Sequence, residues 1–442
     1  MNDTTIDKGV DAYWMPFTAN RDHGKAPRVI VSASGHHYKD KDGREVYDLF
    51  SGLWTSGVGH CHPKIVEAVQ RQVGELDFSM SFQATNDKAF ELAARLVDFA
   101  PESFSRCFFT NSGSESADTA LKIALAYQQA RGKTEKTRLI GRVRGYHGTN
   151  FGGISVGGIP ANRAPYMQNL MPGVDHIRDT FDLEQNAFSR GQPEHGVDRA
   201  EDLAALIAKH GADTIAAVIV EPVAGSTGIL PPPVGYLQRL RELCDEHDIL
   251  LIFDEVITAF GRIGANFGAD RFGVTPDIIT TAKGLTNGVI PMGAVLVNEN
   301  VYQQFMTGPE HLVEWFHGYT YSGHPVAAAA GIASLDVYKE EGSIEQARAI
   351  EPLFEEVIHS LADHPKVIDV RNFGLMGAIE LESRADMPGI RGLETHKKCF
   401  WDQQLMIRNG MDILQFAPFL NSDGDELEQA FASLRKVLDS ID

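Results

Sequence analysis

The chain has 442 residues, 43% of them hydrophobic, and its 40 Lys and Arg against 60 Asp and Glu give a formal net charge of −20. This length exceeds what one hydrophobic core usually supports, so we expect one large and one smaller domain. An acidic surface repels nucleic-acid phosphates and anionic membranes, which argues against both as partners.

The cysteines and the first residues favour a cytoplasmic protein. The start MNDTTIDKG is polar and acidic, unlike a signal peptide. The longest strand-like apolar run, residues 215–220, is too short to span a membrane. The cysteines form no C-x-x-C pair, as is usual for reduced thiols, and stand at Cys61, Cys107, Cys244 and Cys399.

In chain order, the sequence predicts a hairpin, then alternating strands and helices, then a second mixed segment. The stretch GHHYKDKDGREVYDLFSG, before about residue 58, is typical of a hairpin with a D-G turn. Helical spacing follows in ESADTALKIALAYQQARG and GYLQRLRELCDEHD. The predicted strands are 107–110, 137–143, 214–221, 249–255, 277–283 and 293–298. Their apolar faces predict an α/β fold with a mainly parallel sheet and helices on both faces.

The two ends of the chain predict a smaller α+β domain. After about residue 325, two long helical stretches flank VIDVRNFGLMGAIELE, which has the pattern of paired strands with glycine bends. We therefore predict an N-terminal segment, 1–58, that packs with the small domain. The large cofactor-binding domain is expected at 59–320, and the C-terminal small α+β domain at 321–442.

Polar groups follow several of the predicted strands, where open parallel sheets bind their ligands. They are the segment 111–114, Glu221, Asp254 and Lys283. Lys283 ends DIITTAKGL, and such a lysine either extends its amine to water or stays desolvated. A desolvated lysine has a lowered pKa and attacks carbonyls, forming a Schiff base.

A lysine, a carboxylate and an anion site together match the needs of pyridoxal 5'-phosphate, for its aldehyde, ring nitrogen and phosphate. In TNSGSESADTALK, Ser112, Gly113 and Ser114 lead into a helix whose free N–H groups suit a phosphate. An ordinary serine N-cap is the alternative for this segment. Asp254 would then keep the pyridine nitrogen protonated, while Lys283 carries the aldehyde.

With these residues, the chain resembles the class III (ω-amino acid) aminotransferases of fold type I. Within them it is similar to ω-amino acid:pyruvate (β-alanine:pyruvate) transaminases, which move an amino group from an amine donor to a 2-oxo acid. The resemblance runs over nearly the whole chain. Its segments are FTNSGSESADTALK, RGYHGTN, VIVEPVAGSTG, LLIFDEVITAFGR, TTAKGLTNGVIPMGAV, HGYTYSGHPV and MIRNGMDILQFAP.

The resemblance implies a homodimer or homotetramer with active sites shared between subunits. It implies that Lys283 and Asp254 are catalytic and that Thr320 reaches the phosphate of the neighbouring subunit. Tyr146 and Val256 would cover the two faces of the ring. The expected cofactor-binding set is Ser112, Gly113, Ser114, Tyr146, His147, Glu221, Asp254, Val256, Lys283 and Thr320.

One departure from relatives bears on the acceptor. Relatives that use 2-oxoglutarate commonly carry a glutamate after EP-x-x-G that controls the substrate arginine, and a glutamine two residues before it. Here EPVAGSTG has Ser226 and Ala224 at these positions. This favours pyruvate as acceptor; a taurine- or 4-aminobutyrate-type donor stays open as an alternative.

The resemblance also indicates where the substrate binds. Arg408, in LMIRNGMDILQFAP, is expected to grip the substrate carboxylate with its planar guanidinium. Gln415 would add an amide hydrogen bond, and Leu53 and Trp54 would form the opposite apolar wall. The expected substrate-binding set is Leu53, Trp54, Phe82, Tyr146, Ala224, Arg408 and Gln415, with Phe82 contributed across the subunit interface.

Two other classes of function have weaker support. GISVG matches the nucleophile elbow of serine hydrolases around Ser155, with Asp254 and later histidines in triad order. However, GGIPANRAP follows it, and its prolines disfavour a helix running on from the serine. GHCHP and GHHY suggest a metal, but neither has a second ligand pair at zinc spacing, so we expect turn histidines and no metal.

Overall fold

The computed structural model describes residues 3–442, with side chains from Lys8 onward. The strands are β1 (Ile30–Ser34), β2 (His37–Asp40), β3 (Glu45–Asp48), β4 (Phe104–Thr110), β5 (Arg138–Arg142), β6 (Val174–Ile177), β7 (Ile215–Val220), β8 (Leu250–Asp254), β9 (Ile278–Thr281), β10 (Gly293–Asn298), β11 (Val367–Phe373), β12 (Met376–Leu381), β13 (Leu405–Met406), β14 (Arg408–Gly410) and β15 (Ile413–Phe416).

Helices alternate with these strands. They are α1 (Asp3–Ala12), α2 (Asn20–His23), α3 (Ser51–Trp54), α4 (Pro63–Glu75), α5 (Asp87–Phe99), α6 (Gly113–Ala130), α7 (Phe151–Val156), α8 (Pro160–Arg163), α9 (Leu183–Asn186), α10 (Glu201–His210), α11 (Tyr236–Glu246), α12 (Gly268–Phe272), α13 (Glu299–Gln303), α14 (Pro325–Glu340), α15 (Ser343–His359), α16 (Ile390–Gln403) and α17 (Gly424–Ser440). Short 3₁₀ turns lie at Ala164–Tyr166, Val197–Ala200, Ala212–Thr214 and Lys283–Thr286. No helix within residues 3–442 is both long and apolar enough to cross a bilayer.

The central sheet has the strand order β4-β10-β9-β8-β7-β5-β6 within the described residues. The pairs β6–β5, β5–β7, β7–β8 and β8–β9 are parallel, whereas β10 is antiparallel to both β4 and β9. All residues of β7 and β8 are buried, because helices cover both faces of the sheet. The predicted α/β fold with a mainly parallel sheet is confirmed.

Because β10 is antiparallel to both of its neighbours, β4 runs in the same direction as β9 and the other parallel strands. The residues that follow β4, β5, β7, β8 and β9 therefore emerge at one edge of the sheet. This edge is where an open α/β sheet binds its ligand.

The two ends of the chain meet in smaller sheets. The hairpin β2–β3 forms as predicted, and β3 also pairs in parallel with β13 from the C-terminal part. A second antiparallel sheet has the order β11-β12-β15-β14. Helix α14 packs against α4 and α5, so it also belongs to the layer that covers the central sheet.

One buried arginine joins these parts of the chain. The guanidinium of Arg262, which follows β8, donates to the carbonyls of Leu375 (3.3 Å) and Pro418 (2.5 Å) and to Ser51 Oγ (3.2 Å). Burial lowers the pKa of Arg262 to about 10, while Tyr338 and Asp48 oppose the shift. The N-terminal segment and the C-terminal sheets are thereby fixed to the strand edge of the large domain.

Candidate active site

An open cavity of about 590 Å³ lies at this strand edge. It is lined by Ser112, Gly113, Ser114, Tyr146, Gly148, Glu221, Val223, Asp254, Val256, Ile257, Ala282 and Lys283. These residues follow β4, β5, β7, β8 and β9, so five strand ends contribute to one site. The structure therefore brings together most of the cofactor-binding residues expected from the sequence.

Lys283 follows β9 and begins a 3₁₀ turn with a positive φ of 46°. A left-handed conformation is uncommon for a residue with a side chain and is often found at functional sites. Burial lowers the pKa of its amine to about 8; Asp254 opposes this shift and Arg408 adds to it. A much larger share of this amine is neutral near pH 7.5 than for an ordinary lysine.

Asp254 ends β8 and is buried. Its carboxylate contacts His147 Nδ1 at 2.8 Å and accepts from Thr280 Oγ1 (3.1 Å) and the amide of Val256 (3.2 Å). His147 does not line the cavity and contacts the Asp254 carboxylate there, so its place in the cofactor-binding set stays a prediction. The carboxylate is thus held in one orientation and faces the cavity.

Glu221 follows β7 and lines the cavity. Its carboxylate accepts from the amides of Tyr146 (2.9 Å) and Gly225 (3.0 Å). Burial raises its pKa, and the charges of His147 and Arg142 act in the opposite direction. Glu221 therefore fixes the loops after β5 and β7, consistent with the supporting role expected of it.

The N-terminus of α6 also lines the cavity. Ser112 caps this helix, because its hydroxyl accepts from the amide of Glu115 (3.2 Å) and its carbonyl from that of Ser116 (3.0 Å). Neither bond uses the amides of Gly113 and Ser114, which point out of the first turn. With the positive end of the helix dipole, these amides make a site for an anion.

Glycines keep this anion site open. Gly148 has a φ of 89°, and a Cβ there would lie 2.4 Å from Ser114 Oγ. A Cβ on Gly113 would lie 2.9 Å from Val256 Cγ1. Side chains at either position would therefore collide with the cavity walls, so the close approach of these walls requires glycine.

Arg408 lies on β14 beside the cavity. Its guanidinium carbon is 5.2 Å from the centre of the Trp54 ring, and Lys283 Nζ is 5.3 Å from the same centre. Burial lowers the pKa of Arg408, and the nearby hydroxyl of Tyr146 opposes this shift. Trp54 thus lies against the arginine itself, and its expected place in the apolar wall of the substrate site stays a prediction.

Gln415 is the cross-strand partner of Arg408 in the β14–β15 pair. Its amide nitrogen donates to the carbonyl of Ser226 (3.1 Å), and its buried amide oxygen has no hydrogen-bond partner within the described residues. Ala224 is buried and pairs with Leu230 across the same loop. Both residues thus support the loop 223–230 and are not in the cavity lining.

Leu53 and Trp54 belong to α3, which is a left-handed turn. Its φ angles are 40° at Ser51, 58° at Gly52, 80° at Leu53 and 61° at Trp54. Left-handed helical conformation costs non-glycine residues roughly 1–2 kcal/mol each, so the surrounding structure must hold this turn in place. Trp54 is buried, whereas half of Leu53 is exposed.

Phe82 and Thr320 are exposed and do not line the cavity of their own chain. Their segments touch each other, because Ser81 Oγ donates to the carbonyl of Thr320 at 2.9 Å. The surface around them carries exposed apolar side chains, and we call it the 80–321 face. It comprises Met80, Phe82, Thr320 and Tyr321.

The structure contradicts the hydrolase alternative. Ser155 is buried inside α7, where its hydroxyl donates to the carbonyl of Phe151 (2.6 Å) and accepts from the amide of Met171 (2.8 Å). It has neither the exposure nor the histidine partner of a catalytic serine. His60 contacts Asp48 at 2.9 Å, and within residues 3–442 no three His, Cys, Asp or Glu side chains group as metal ligands.

Three supporting residues were not predicted from the sequence. Thr280 contacts Asp254, and Arg142 donates to the carbonyl of Glu221 at 2.8 Å. Gly148 shapes the anion site. Each stands next to a predicted residue on the neighbouring strand or loop, so the strand order would have identified them, but the sequence does not give that order.

The cavity fits pyridoxal 5'-phosphate. The amides at the start of α6 suit its phosphate, the carboxylate of Asp254 its ring nitrogen, and the amine of Lys283 its aldehyde. Tyr146 and Val256 line the space between these groups. The space for the phosphate beside Ser114 depends on Gly148, because a side chain at that position would fill it.

Comparisons with known proteins agree with this site. The model of the class-III aminotransferases matches residues 18–438. The chain is similar to an omega-aminotransferase of Caulobacter vibrioides, with 53% identity over 98% of each chain. It is also similar to a beta-alanine–pyruvate aminotransferase of Pseudomonas aeruginosa, with 50% identity over 97% of this chain and 96% of the relative.

Solved structures give the same result. The omega transaminase of Pseudomonas jessenii in complex with PMP has a TM-score of 0.92 and 31% identity, over 98% of this chain and 97% of that one. A thermostable (S)-enantioselective omega-transaminase of Thermomicrobium roseum has a TM-score of 0.92 and 30% identity, over 100% and 99%.

Proposed function

The chain belongs to the class-III aminotransferases, and from this premise we propose that it transfers an amino group from an ω-amino acid or amine to pyruvate. β-Alanine is the type of donor we propose, and the products are L-alanine and a semialdehyde or oxo compound. Relatives named for β-alanine or ω-amino acids with pyruvate, at 50% and 48% identity, support this choice. A taurine- or 4-aminobutyrate-type reaction is not favoured.

The observation that carries the proposal is the partly buried guanidinium of Arg408 beside Lys283. Both cations lie over the ring of Trp54, at 5.2 and 5.3 Å from its centre. Pyruvate has its carboxylate directly next to the carbonyl that receives the amine. An arginine beside the same ring as the reactive lysine, with its charge acting on that lysine, suits this substrate. Its planar fork binds a carboxylate with two hydrogen bonds.

Pyridoxal 5'-phosphate is the cofactor of this family, and bound here it supplies an aldehyde for the donor amine and an electron sink for the substrate carbanion. The amides of Gly113 and Ser114 would hold its phosphate, and Asp254 would keep its ring nitrogen protonated. Tyr146 and Val256 would confine the ring. Lys283 would attach it to the protein.

Lys283 also acts as the base of the reaction. Its neutral amine would take the proton from the amine-bearing carbon of the donor and pass it to the bound cofactor in the same half-reaction. With the 2-oxo acid, the same transfer would run in reverse. The lowered pKa of about 8 keeps a usable share of this amine neutral at physiological pH. Ser226 places no carboxylate near Arg408, so the arginine is free for the substrate.

We further propose that the enzyme is a homodimer or a dimer of dimers. The 80–321 face supports this, because exposed apolar side chains of this density usually mark an interaction surface. In the dimer Thr320 reaches the phosphate site of the partner and Phe82 adds to its substrate wall. We also propose a cytoplasmic location, in line with four cysteines that are free thiols in the structure.

The function is tested with a panel of amine donors against pyruvate and 2-oxoglutarate, measuring L-alanine and L-glutamate. We expect β-alanine and related ω-amines to react with pyruvate, with kcat/KM at least about tenfold above that for 2-oxoglutarate. Borohydride reduction followed by peptide mapping should place the cofactor on Lys283. Equal use of the two acceptors, or a label on another lysine, would contradict the proposal.

A further inference from the structure

The left-handed turn of α3 is held by one buried carboxylate. Asp48, at the end of β3, is almost fully buried. Its carboxylate accepts from the amide of Phe50 (3.0 Å) and from that of Gly52 (2.5 Å), and it contacts His60 Nε2 at 2.9 Å. These bonds fix the backbone immediately before the turn and inside it.

A second set of bonds acts on the first residue of the turn. Ser51 Oγ donates to the carbonyl of Ala417 and accepts from Arg262 Nη2 at 3.2 Å. Asp48 also lowers the energy of the buried Arg262 cation, because its charge opposes the effect of burial on that guanidinium. The Asp48 carboxylate therefore acts on the turn directly and also through Arg262. We call the bonds made by Asp48 and by Ser51 Oγ the clamp of the turn.

The turn 51–54 includes Trp54, whose ring lies next to both Lys283 and Arg408. Trp54 is its last residue and is buried against Lys283 and Arg408. The turn is strained at Ser51, Leu53 and Trp54, all with side chains and positive φ. Without the clamp, the backbone would relax to a right-handed or extended conformation, and the indole would leave the arginine.

On the basis of the proposed function, we propose that Asp48 is a positioning residue for the substrate carboxylate. It holds the turn 51–54 in its left-handed form, so that Trp54 supports Arg408 in the orientation that receives pyruvate. Asp48 itself lies outside the lining of the cavity and touches no reacting group. Its effect on the reaction passes through Gly52, Trp54 and Arg408.

Asp48→Asn is the first test, because it keeps the size of the side chain and replaces one of the two acceptor oxygens with a donor. The matched control is Asp40→Asn. Asp40 is equally buried in the same sheet and accepts from the amides of Asp42 (3.0 Å) and Arg44 (2.9 Å), but it holds the β2–β3 turn instead. Both changes remove a buried carboxylate that binds backbone amides, and only one of them concerns the turn 51–54.

Steady-state kinetics with β-alanine and pyruvate give the first readout. We expect Asp48→Asn to raise KM for pyruvate about tenfold, with kcat per bound cofactor within about threefold of wild type. Asp40→Asn should leave KM for pyruvate unchanged. A purely structural role of Asp48 would lower the active fraction of Asp48→Asn and would not shift KM.

Hydrogen–deuterium exchange of the holoenzyme gives a second readout that needs no substrate. The peptide covering residues 50–57 should exchange faster in Asp48→Asn and at the wild-type rate in Asp40→Asn. If Asp48→Asn does not fold, Ser51→Ala removes the other clamp bonds and should produce smaller shifts in the same direction.

The outcomes separate this inference from the function on which it rests. If the wild type transfers no amino group to pyruvate, the proposed function fails, and the exchange measurement still tests the clamp. If the wild type is active and both aspartate variants behave alike in KM and exchange, the role of Asp48 is refuted. Faster exchange at 50–57 with an unchanged KM would refute it as well, because the turn would then not position the substrate site.

Discussion

At the scale of single residues, Trp54 is the unusual feature of the site, because one indole ring serves two cations. Lys283 and Arg408 both lie within cation–π distance of its centre. The two cations repel each other, which is part of the reason that the pKa of Lys283 is low. A substrate carboxylate on Arg408 would relieve this repulsion.

Replacing Arg408 should separate substrates by their carboxylates. In Arg408→Ala we expect KM for pyruvate and alanine to rise about 30-fold or more, because a charge-assisted pair is lost. A simple aryl-alkyl amine donor has no carboxylate, so its half-reaction with the enzyme should keep its rate within about threefold. Single-turnover kinetics of each donor, followed by the change in cofactor absorbance, measures this.

Arg435→Ala is the control for Arg408→Ala, since Arg435 is partly exposed and pairs with Asp363 at the surface. It should leave both donors unaffected. Equal losses for the alanine and aryl-alkyl amine half-reactions in Arg408→Ala would instead mean that the arginine maintains the fold of the site.

The pKa of Lys283 predicts the pH dependence of cofactor attachment. The neutral amine is the nucleophile, and its pKa is about 8. Below pH 8 the protonated form dominates, so the attachment rate should rise about tenfold per pH unit, and it should level off above about pH 9. To measure this rate, cofactor is added to cofactor-free enzyme at each pH between 6 and 10. Samples taken over time are reduced with borohydride, and the amount of cofactor bound covalently is determined.

An ordinary lysine would behave differently, because its pKa lies near 10.4. A rate that continues to rise to pH 10 would therefore show that Lys283 is not perturbed. Lys283→Ala serves as the control for fixation at other lysines and should give none at the active site.

The sequence predicted those site residues whose type is unusual for their position. A lysine and an aspartate at the ends of apolar strands stand out, and so does a serine–glycine–serine run before a helix. His147 and Trp54 were identified as site residues, but their contacts were not, because those depend on which strand or turn lies next to which. The family resemblance predicted that both residues belong to the site, and the structure shows which groups they contact.

At the scale of elements, the start of the central strands is held by a buried lysine. Lys136 Nζ lies within hydrogen-bond distance of four carbonyl oxygens, those of Ala212 (3.0 Å), Ile215 (3.2 Å), His247 (3.3 Å) and Asp248 (2.8 Å). Burial lowers its pKa, and carbonyl oxygens surround the ammonium. The loops that enter β5, β7 and β8 are thereby fixed around one cation.

Removing this cation should destabilise the large domain. Lys136→Met keeps the length of the side chain and leaves the carbonyls without a donor, so we expect a loss of about 2–4 kcal/mol in the free energy of unfolding. The midpoint of thermal unfolding, measured on the holoenzyme, should fall by several degrees. The nearby Lys133→Met is the control, because Lys133 pairs with Asp248 at the surface. Equal midpoints for the two variants would contradict this role of Lys136.

Strands were easier to predict than turns, for a physical reason. β7, β8 and β10 consist of continuous apolar runs, because both faces of the central sheet are covered. β6 has the sequence VDHI and gave no such signal. The left-handed turn at 51–54 could not be predicted either, since only Gly52 favours positive φ and tertiary bonds impose the rest.

At the scale of the whole molecule, the 80–321 face predicts how two copies share their sites. Thr320→Ala should weaken cofactor binding about tenfold by removing one hydrogen bond to the phosphate of the partner. Light scattering should give a dimer or tetramer of the 48.5 kDa chain in every variant. The exposed Thr134→Ala is the matched control and should bind the cofactor normally.

A mixed dimer makes the sharing testable. One subunit carries Lys283→Ala and the other Thr320→Ala, and the two are purified together through different tags. If Thr320 serves the partner, one of the two sites contains both native residues and regains wild-type affinity and turnover. If Thr320 instead binds the phosphate in the site of its own chain, neither site contains both native Lys283 and native Thr320. The mixed dimer would then regain no activity at low cofactor concentration.

The contact between Ser51 and Ala417 joins positions 366 residues apart in the sequence. During synthesis, the turn 51–54, which carries Trp54, therefore leaves the ribosome long before the residues that hold it. The pairing of β3 with β13 also forms only after the C-terminal part has been made. The strands of the central sheet lie between them and can pair first, at a lower entropic cost of chain closure. The order of folding then makes catalytic competence a late event: in refolding experiments, the amides of 50–57 should become protected after those of β7 and β8.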